Sequence, residues 1–289
     1  MQEITRQLLY GERALFNSSG LHITECVFDK GESPIKECRN IDLDESLFRW
    51  MYPIWYSDNI NARRCTLFIK ARAGVWYTNN STFKDCVVEA PKCFRRCNNI
   101  SLENVTFTGC DETLWECKNV RLKDVTVKGD YLCMNSSDLD ISNLTLNGKY
   151  SFDGVRNMTI SDSHLITKDC FWNSENVTVK NSFITAEYIG WNAKNLTFEN
   201  CVMESLQGFC YIDNLVMKDC KLFNTNLAFE YSTVDLDIKG DVISILNPKG
   251  GVIRAEHIKE LIFEPDKVDP SATKIICDRI DKHSDKPVY

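Results

Sequence analysis

A pattern of apolar, polar, apolar, polar, Asp/Asn, small, any, apolar recurs down this chain, and an internal repeat constrains a fold more than any other sequence feature. It begins at Leu21, Ile41, Ile60, Ser81, Ile100, Val120, Leu139, Met158, Val177, Leu196, Leu215 and Val234. The interval is 19 to 21 residues and settles at 19 over the last six steps. Inside each unit the alternation has the period of two that belongs to a strand with one buried face, as in "VRLKD", "LDISN", "VTVKN" and "LTFEN". The unit is too short for a helix, and three short strands fit it, making one turn of a parallel solenoid.

Three columns mark each turn. Asp85, Asn104, Asp124, Asn143, Asp162, Asn181, Asn200 and Asp219 follow the first strand. Asn and Asp tolerate the left-handed backbone of a sharp bend. A second column precedes the strand: Asn40, Asn59, Asn80, Asn99, Asn119, Asp138, Asn157, Asn176, Asn195 and Asn214. It reads as a side-chain ladder that satisfies polar groups costly to bury. A third column, four residues earlier, holds Trp55, Trp76, Trp115, Trp172 and Trp191, with Met134, Asp153 and Cys210 on other turns.

The expected fold class is therefore all-β, a parallel β-helix of about 12 turns of ~19 residues with capped ends. Residues 1–20 form the N-terminal cap, 21–252 the β-helix and 253–289 a C-terminal cap or tail, one domain in all. Pro265, Pro270 and Pro287 suit a tail leaving regular structure. Leucine-rich repeats would need a Leu-x-x-Leu-x-Leu scaffold, and propeller blades run to roughly 40 residues.

The columns, with "GERALF", "FRWMYPIWYSDN", "VWYTNN", "EAPKCFRRC", "YSFDG" and "LQGFCYIDNLVMKDCKLFNTNLAFEYSTVD", resemble a mostly bacterial family, domain of unknown function 3737. The resemblance covers nearly the whole chain. It implies a right-handed, single-stranded β-helix of the pectin-lyase-like class and no established activity.

Charge narrows the partners. With 34 basic against 41 acidic residues the net charge is −7, and no Lys/Arg run or nucleic-acid motif occurs, so nucleic acid is not an expected partner. No apolar run approaches the ~20 residues of a membrane span, and Met1 to Arg6 lacks the charged-then-apolar start of a signal segment. The expectation is a cytoplasmic protein without membrane or cofactor.

Most of the 14 cysteines follow the repeat. Cys26, Cys65, Cys86, Cys201 and Cys220 take the small position after the turn, and Cys38, Cys97 and Cys117 the position two before the Asn column. They read as reduced core residues, with neighbouring-turn pairs such as Cys65 and Cys86 within reach of a disulfide. Cys93, Cys97, Cys110 and Cys117 lack the tight Cys-x-x-Cys pairs of a zinc site, so no metal is expected.

Two surfaces could carry chemistry. Asp111 and Asp130 are the candidates for acid catalysis on a sugar, which needs paired carboxyls at a fixed spacing, and Tyr131 and Tyr150, in the adjoining column that also holds Glu112, are candidates to bind it. Arg95, Arg96 and Glu116 form the other, either gripping a carboxylate ligand or pairing among themselves. Asp153 completes the ligand-binding candidates. If the tryptophan column points inward, the preferred orientation, Asp153 is a buried acid in need of a partner such as Arg156; an outward column would form an aromatic stripe suited to sugar rings. The leading functional expectation is a non-catalytic scaffold binding a carbohydrate or other polymer. The alternatives are a glycoside hydrolase or polysaccharide lyase, and a structural protein whose side-by-side homo-oligomers bury the polar face.

Overall fold

Apolar residues two apart put their side chains on one face of a strand, and a repeat of such strands buries that face only by coiling. The computed structural model describes residues 1–287 and shows an all-β parallel solenoid. Among the described residues no helix is long and apolar enough to cross a membrane. The chain forms two compact units, Met1–Gly148 and Lys149–Tyr289.

In the first unit Leu21, Ile41, Ile60, Ser81, Ile100, Val120 and Leu139 pair in succession, in the register the repeat predicts. A second wall runs through Val27–Asp29, Leu47–Phe48, Thr66–Leu67, Val87–Val88 and Thr106–Phe107. The third is a pair of residues per turn, Ile35–Lys36, Ile54–Trp55 and Val75–Trp76, continued by single bridges through Arg95 and Trp115. Phenylalanines fill the interior; Phe28 and Phe48 stack at 4.7 Å. In the second unit Met158, Val177, Leu196, Leu215 and Val234 pair in the same way.

The corners follow from backbone chemistry. Asn40, Asn59, Asn80, Asn99 and Asn119 all have φ between 52° and 56°, a region costly for most side chains and open to Asn. Their amides bond from turn to turn, Asn59 to Asn40 at 2.8 Å and Asn99 to Asn80 at 2.7 Å. These ladders are exposed, which corrects the expectation of a buried one. The Asp/Asn column after the strand behaves likewise, Asn104 donating to Asp85 and Asn143 to Asp124, each at 2.7 Å.

The buried ladders are made of Ser, Thr and Cys instead. The Ser46 hydroxyl accepts the Cys26 N–H at 3.1 Å and donates to the Asp44 carbonyl. Ser136 accepts from the Cys117 N–H at 2.8 Å and donates to the Leu114 carbonyl at 2.6 Å. Ser182 does the same for Ser163 in the second unit. Cysteines at equivalent positions aim their thiols at carbonyls, as Cys65 does at Arg63 and Cys220 at Lys218. Each closes a corner where strand pairing leaves backbone groups over.

The coil continues past the sequence repeat at both ends. Gln2–Thr5 pairs with Ser19–Thr24 inside the predicted N-terminal cap. Gly250–Ile262 and Thr273–Ser284 add two further parallel strands inside the predicted C-terminal cap, whose last two residues, 288 and 289, lie outside the described ones. Toward the C-terminus the turn length becomes irregular: Thr233 pairs with Gly250, the register shifts between Ile238 and Asp241, and Gly251 pairs with Thr273.

Candidate functional site

The tryptophan column points outward. At each turn the residue before it is the one turned into the core: Ile54, Val75, Phe94 and Leu114 are fully buried. In the first unit the indoles lie on one another, Trp55 and Trp76 parallel at 5.1 Å. Arg95 occupies the same column, its guanidinium 4.9 Å from the Trp76 ring centre and 4.5 Å from that of Trp115. Each indole N–H is spent on a backbone carbonyl: Trp55 on Ala73, Trp76 on Lys92 and Trp115 on Tyr131. Stacked faces and satisfied N–H groups make this column structural although it faces out.

The basic pair is likewise paired. Arg95 donates to Glu112 at 3.0 Å and Arg96 to Glu116 at 2.8 Å, while Arg96 also reaches the Tyr77 hydroxyl. Tyr131 meets Trp115 edge-on. Asp111 is exposed and accepts the backbone N–H of Asp130 at 2.9 Å.

In the second unit the rings are stepped rather than stacked. Trp172 and Trp191 are 6.3 Å apart at 54°, Trp191 and Tyr211 5.0 Å at 37°, Tyr211 and Tyr231 5.3 Å at 45°. Trp172 and Tyr211 are 38% and 42% exposed. Beside them runs a polar relay: Asn192 donates to Asn173 at 2.8 Å and Asn173 to Asp153 at 3.2 Å. Asp153 is thus a half-exposed acceptor, not a buried acid, and Arg156 pairs elsewhere, with Glu175. The rings lead to an open groove of about 400 Å³ lined by Asn192, Tyr211, Ile212, Asp213, Tyr231, Thr233 and Lys249. Amide, carboxylate, hydroxyl and ammonium groups there offer donors and acceptors together, the mixture that sugar hydroxyls require.

The remaining candidate, Tyr150, lies under the Lys168 ammonium at 5.9 Å. Next to it Asp169 is buried with one carboxylate oxygen lacking a hydrogen-bond partner. Burial raises its pKa, nearby Lys168 opposes the shift and Glu187 adds to it.

All cysteines are free thiols and all but Cys277 are buried. The neighbouring-turn pairs are hydrogen-bonded thiols: Cys65 is pushed up by its bond to Cys86 and then by burial. Burial first, with the charges of nearby carboxylates adding to it, lifts Cys110 and Cys210 to about 12. In the neighbouring-turn pairs Cys86 and Cys201 are lowered instead, first by the bonds to Cys65 and Cys220, while the thiols that burial holds protonated are neither nucleophiles nor metal ligands. Among the described residues no group of three or more His, Cys, Asp and Glu side chains is placed to hold a metal ion.

Parallel turns with polar ladders outside and hydroxyl and thiol ladders inside define a parallel β-helix. The chain belongs to the DUF3737 family, proteins of unknown function, whose signature spans residues 2–276. No curated protein matches the sequence. Similar solved structures include PfbA, a surface adhesin of Streptococcus pneumoniae, with 10% identity, TM-score 0.45, and 91% of this chain and 83% of that one covered. Another is the polygalacturonase from Erwinia carotovora ssp. carotovora, with 11% identity, TM-score 0.40, and 98% and 95% covered. Likenesses so remote leave the functional reading to the side chains themselves.

Proposed function

We propose that this protein is a carbohydrate-binding scaffold whose site is the stepped aromatic face of the second unit. The observation that carries it is the tilted run Trp172, Trp191, Tyr211 and Tyr231 ending in a groove of mixed donors and acceptors. Rings a turn apart give successive sugars apolar platforms, and Asn173, Asn192, Asp213 and Lys249 supply polar contacts at their edge. A glycan array, repeated with bacterial wall and capsule fractions, tests this. Retention of a defined glycan class supports it, and background signal throughout contradicts it.

A second reading, cleavage of the bound polymer, is favoured by Asp169 alone, since a desolvated carboxyl is what a general acid needs. Release of reducing ends from a retained glycan, abolished by Asp169→Asn, would establish it. Without release, the binding role stands by itself.

A further inference from the structure

Along the ladders of the first unit, many exposed cations are matched by acids one turn away. Arg6 bonds Glu25, Arg64 bonds Glu45 and Asp44, Lys84 bonds Glu103, and Arg96 bonds Glu116. Arg13, Arg39, Arg63 and Lys128 also make no ion pair among the described residues, but one corner gathers four such cations around a groove. A groove of about 570 Å³, on the loops that leave Val27–Asp29, Leu47–Phe48 and Thr66–Leu67, is lined by Asp29, Lys30, Arg49, Trp50, Phe68, Ile69 and Lys70. A smaller one shares Trp50, Ile69 and Lys70 and adds Arg72. Among the described residues none of Lys30, Arg49, Lys70 and Arg72 makes an ion pair, and the one carboxylate, Asp29, accepts the backbone N–H of Lys30 at 2.8 Å.

Like charges stacked on successive turns repel. This chain has 41 acidic residues, so acids to pair with are plentiful, yet this corner lacks them. The cations are also placed against rings. Lys70 sits 5.5 Å over Trp50 and Arg49 6.0 Å over Phe68, with Ile69 59% exposed between the charges. Charge on apolar surface suits a ligand that is itself acidic and apolar in alternation.

We propose that this groove binds an anionic polysaccharide. Its acidic groups meet Lys30, Arg49, Lys70 and Arg72, the arginine presenting a fork that fits a carboxylate or sulfate, while the C–H faces of its sugars lie against Ile69 and Trp50. A nucleic acid, with one charge per roughly 1.7 Å of duplex, would need a longer basic track and would meet the −7 charge of the chain. The site is separate from the aromatic face of the second unit and does not depend on it.

The test uses the full chain with polygalacturonate, heparin, dextran, phosphatidylserine vesicles and a single-stranded oligonucleotide as probes, in low salt. The expected result is binding of polygalacturonate or heparin in excess of any retention of dextran. Arg49→Ala with Lys70→Ala should weaken it about tenfold or more, and added salt should weaken it further. Polygalacturonate ahead of heparin assigns the acid as carboxylate, and the reverse as sulfate. Arg121→Ala, at a paired exposed position, should leave it unchanged, with circular dichroism reporting the fold of every variant. Equal retention of dextran, preference for vesicles or oligonucleotide, no binding of either acidic polymer, or indifference to the Arg49/Lys70 change would overturn the proposal.

Discussion

Asn99 and Ser136 show how one corner uses two kinds of side chain. Asn99 is exposed at φ 56° and bonds Asn80 and Asn119, so its first task is to permit the backbone. Asn99→Ala should cost roughly 1–2 kcal/mol, the penalty of a left-handed Ala, and Asn99→Gly much less. Ser136 is buried, and its loss strands the Cys117 N–H. Ser136→Ala should cost about 1–3 kcal/mol. Urea unfolding of the three variants decides this, and an Asn99→Gly as damaging as Asn99→Ala would show that the amide bonds, not the backbone, matter. The asparagines were legible in the sequence by position, but their exposure was not, because a ladder of self-bonded amides is chemically possible wet or dry. The tryptophans' direction was hidden for a different reason. Their wall is two residues long, as in Ile54–Trp55, and both are apolar, so no alternation reveals which one turns inward. Arg95 escaped notice as a member of that column because a cation between indoles breaks the apolar pattern while preserving the stack. The one visible sign of the basic groove was Trp50, the sixth tryptophan and the one outside the column.

The terminal strands carry their own chemistry. His257, on Gly250–Ile262, binds Asp281 of Thr273–Ser284 at 3.0 Å through one ring nitrogen and Asp241 at 3.1 Å through the other. Lys259 and Arg279 pair with the same two acids. The bonds to Asp281 and Asp241 raise the His257 pKa, while those of Asp241 and Asp281 are lowered, each first by its bond to His257. A raised histidine contributes stability in full below its unfolded value of about 6.5, and that share is lost as pH rises through the folded value. The two acids contribute above their unfolded values and lose their share as pH falls through their folded ones. Local protection of these strands should thus be higher at about pH 5.5 than at about pH 8.5 once intrinsic exchange is corrected, and His257→Gln should remove the difference. Equal protection at both pH values would contradict the account. These strands were not read from the sequence because Lys239-Gly240-Asp241 replaces the Asn or Asp corner, and the exposed last strand is rich in Lys, Arg and Asp, which blunt an open edge.

At the scale of the whole molecule, the fold was legible because one register error would expose every core residue of a turn, so the repeat tolerates few exceptions. The proposed binding face was not, because polar columns serve ladders and ligands alike. The same burial predicts the chemistry of the thiols. A thiol reagent under native conditions should label Cys277 and little else, and all 14 cysteines in denaturant; rapid native labelling of several would show a looser coil. The central functional claim is tested most directly by binding isotherms of the wild type and of Trp172→Ala with Tyr211→Ala on a glycan retained in the array. The account predicts a loss of about tenfold or more with circular dichroism and unfolding midpoint little changed. Undiminished affinity in the correctly folded double variant would contradict it.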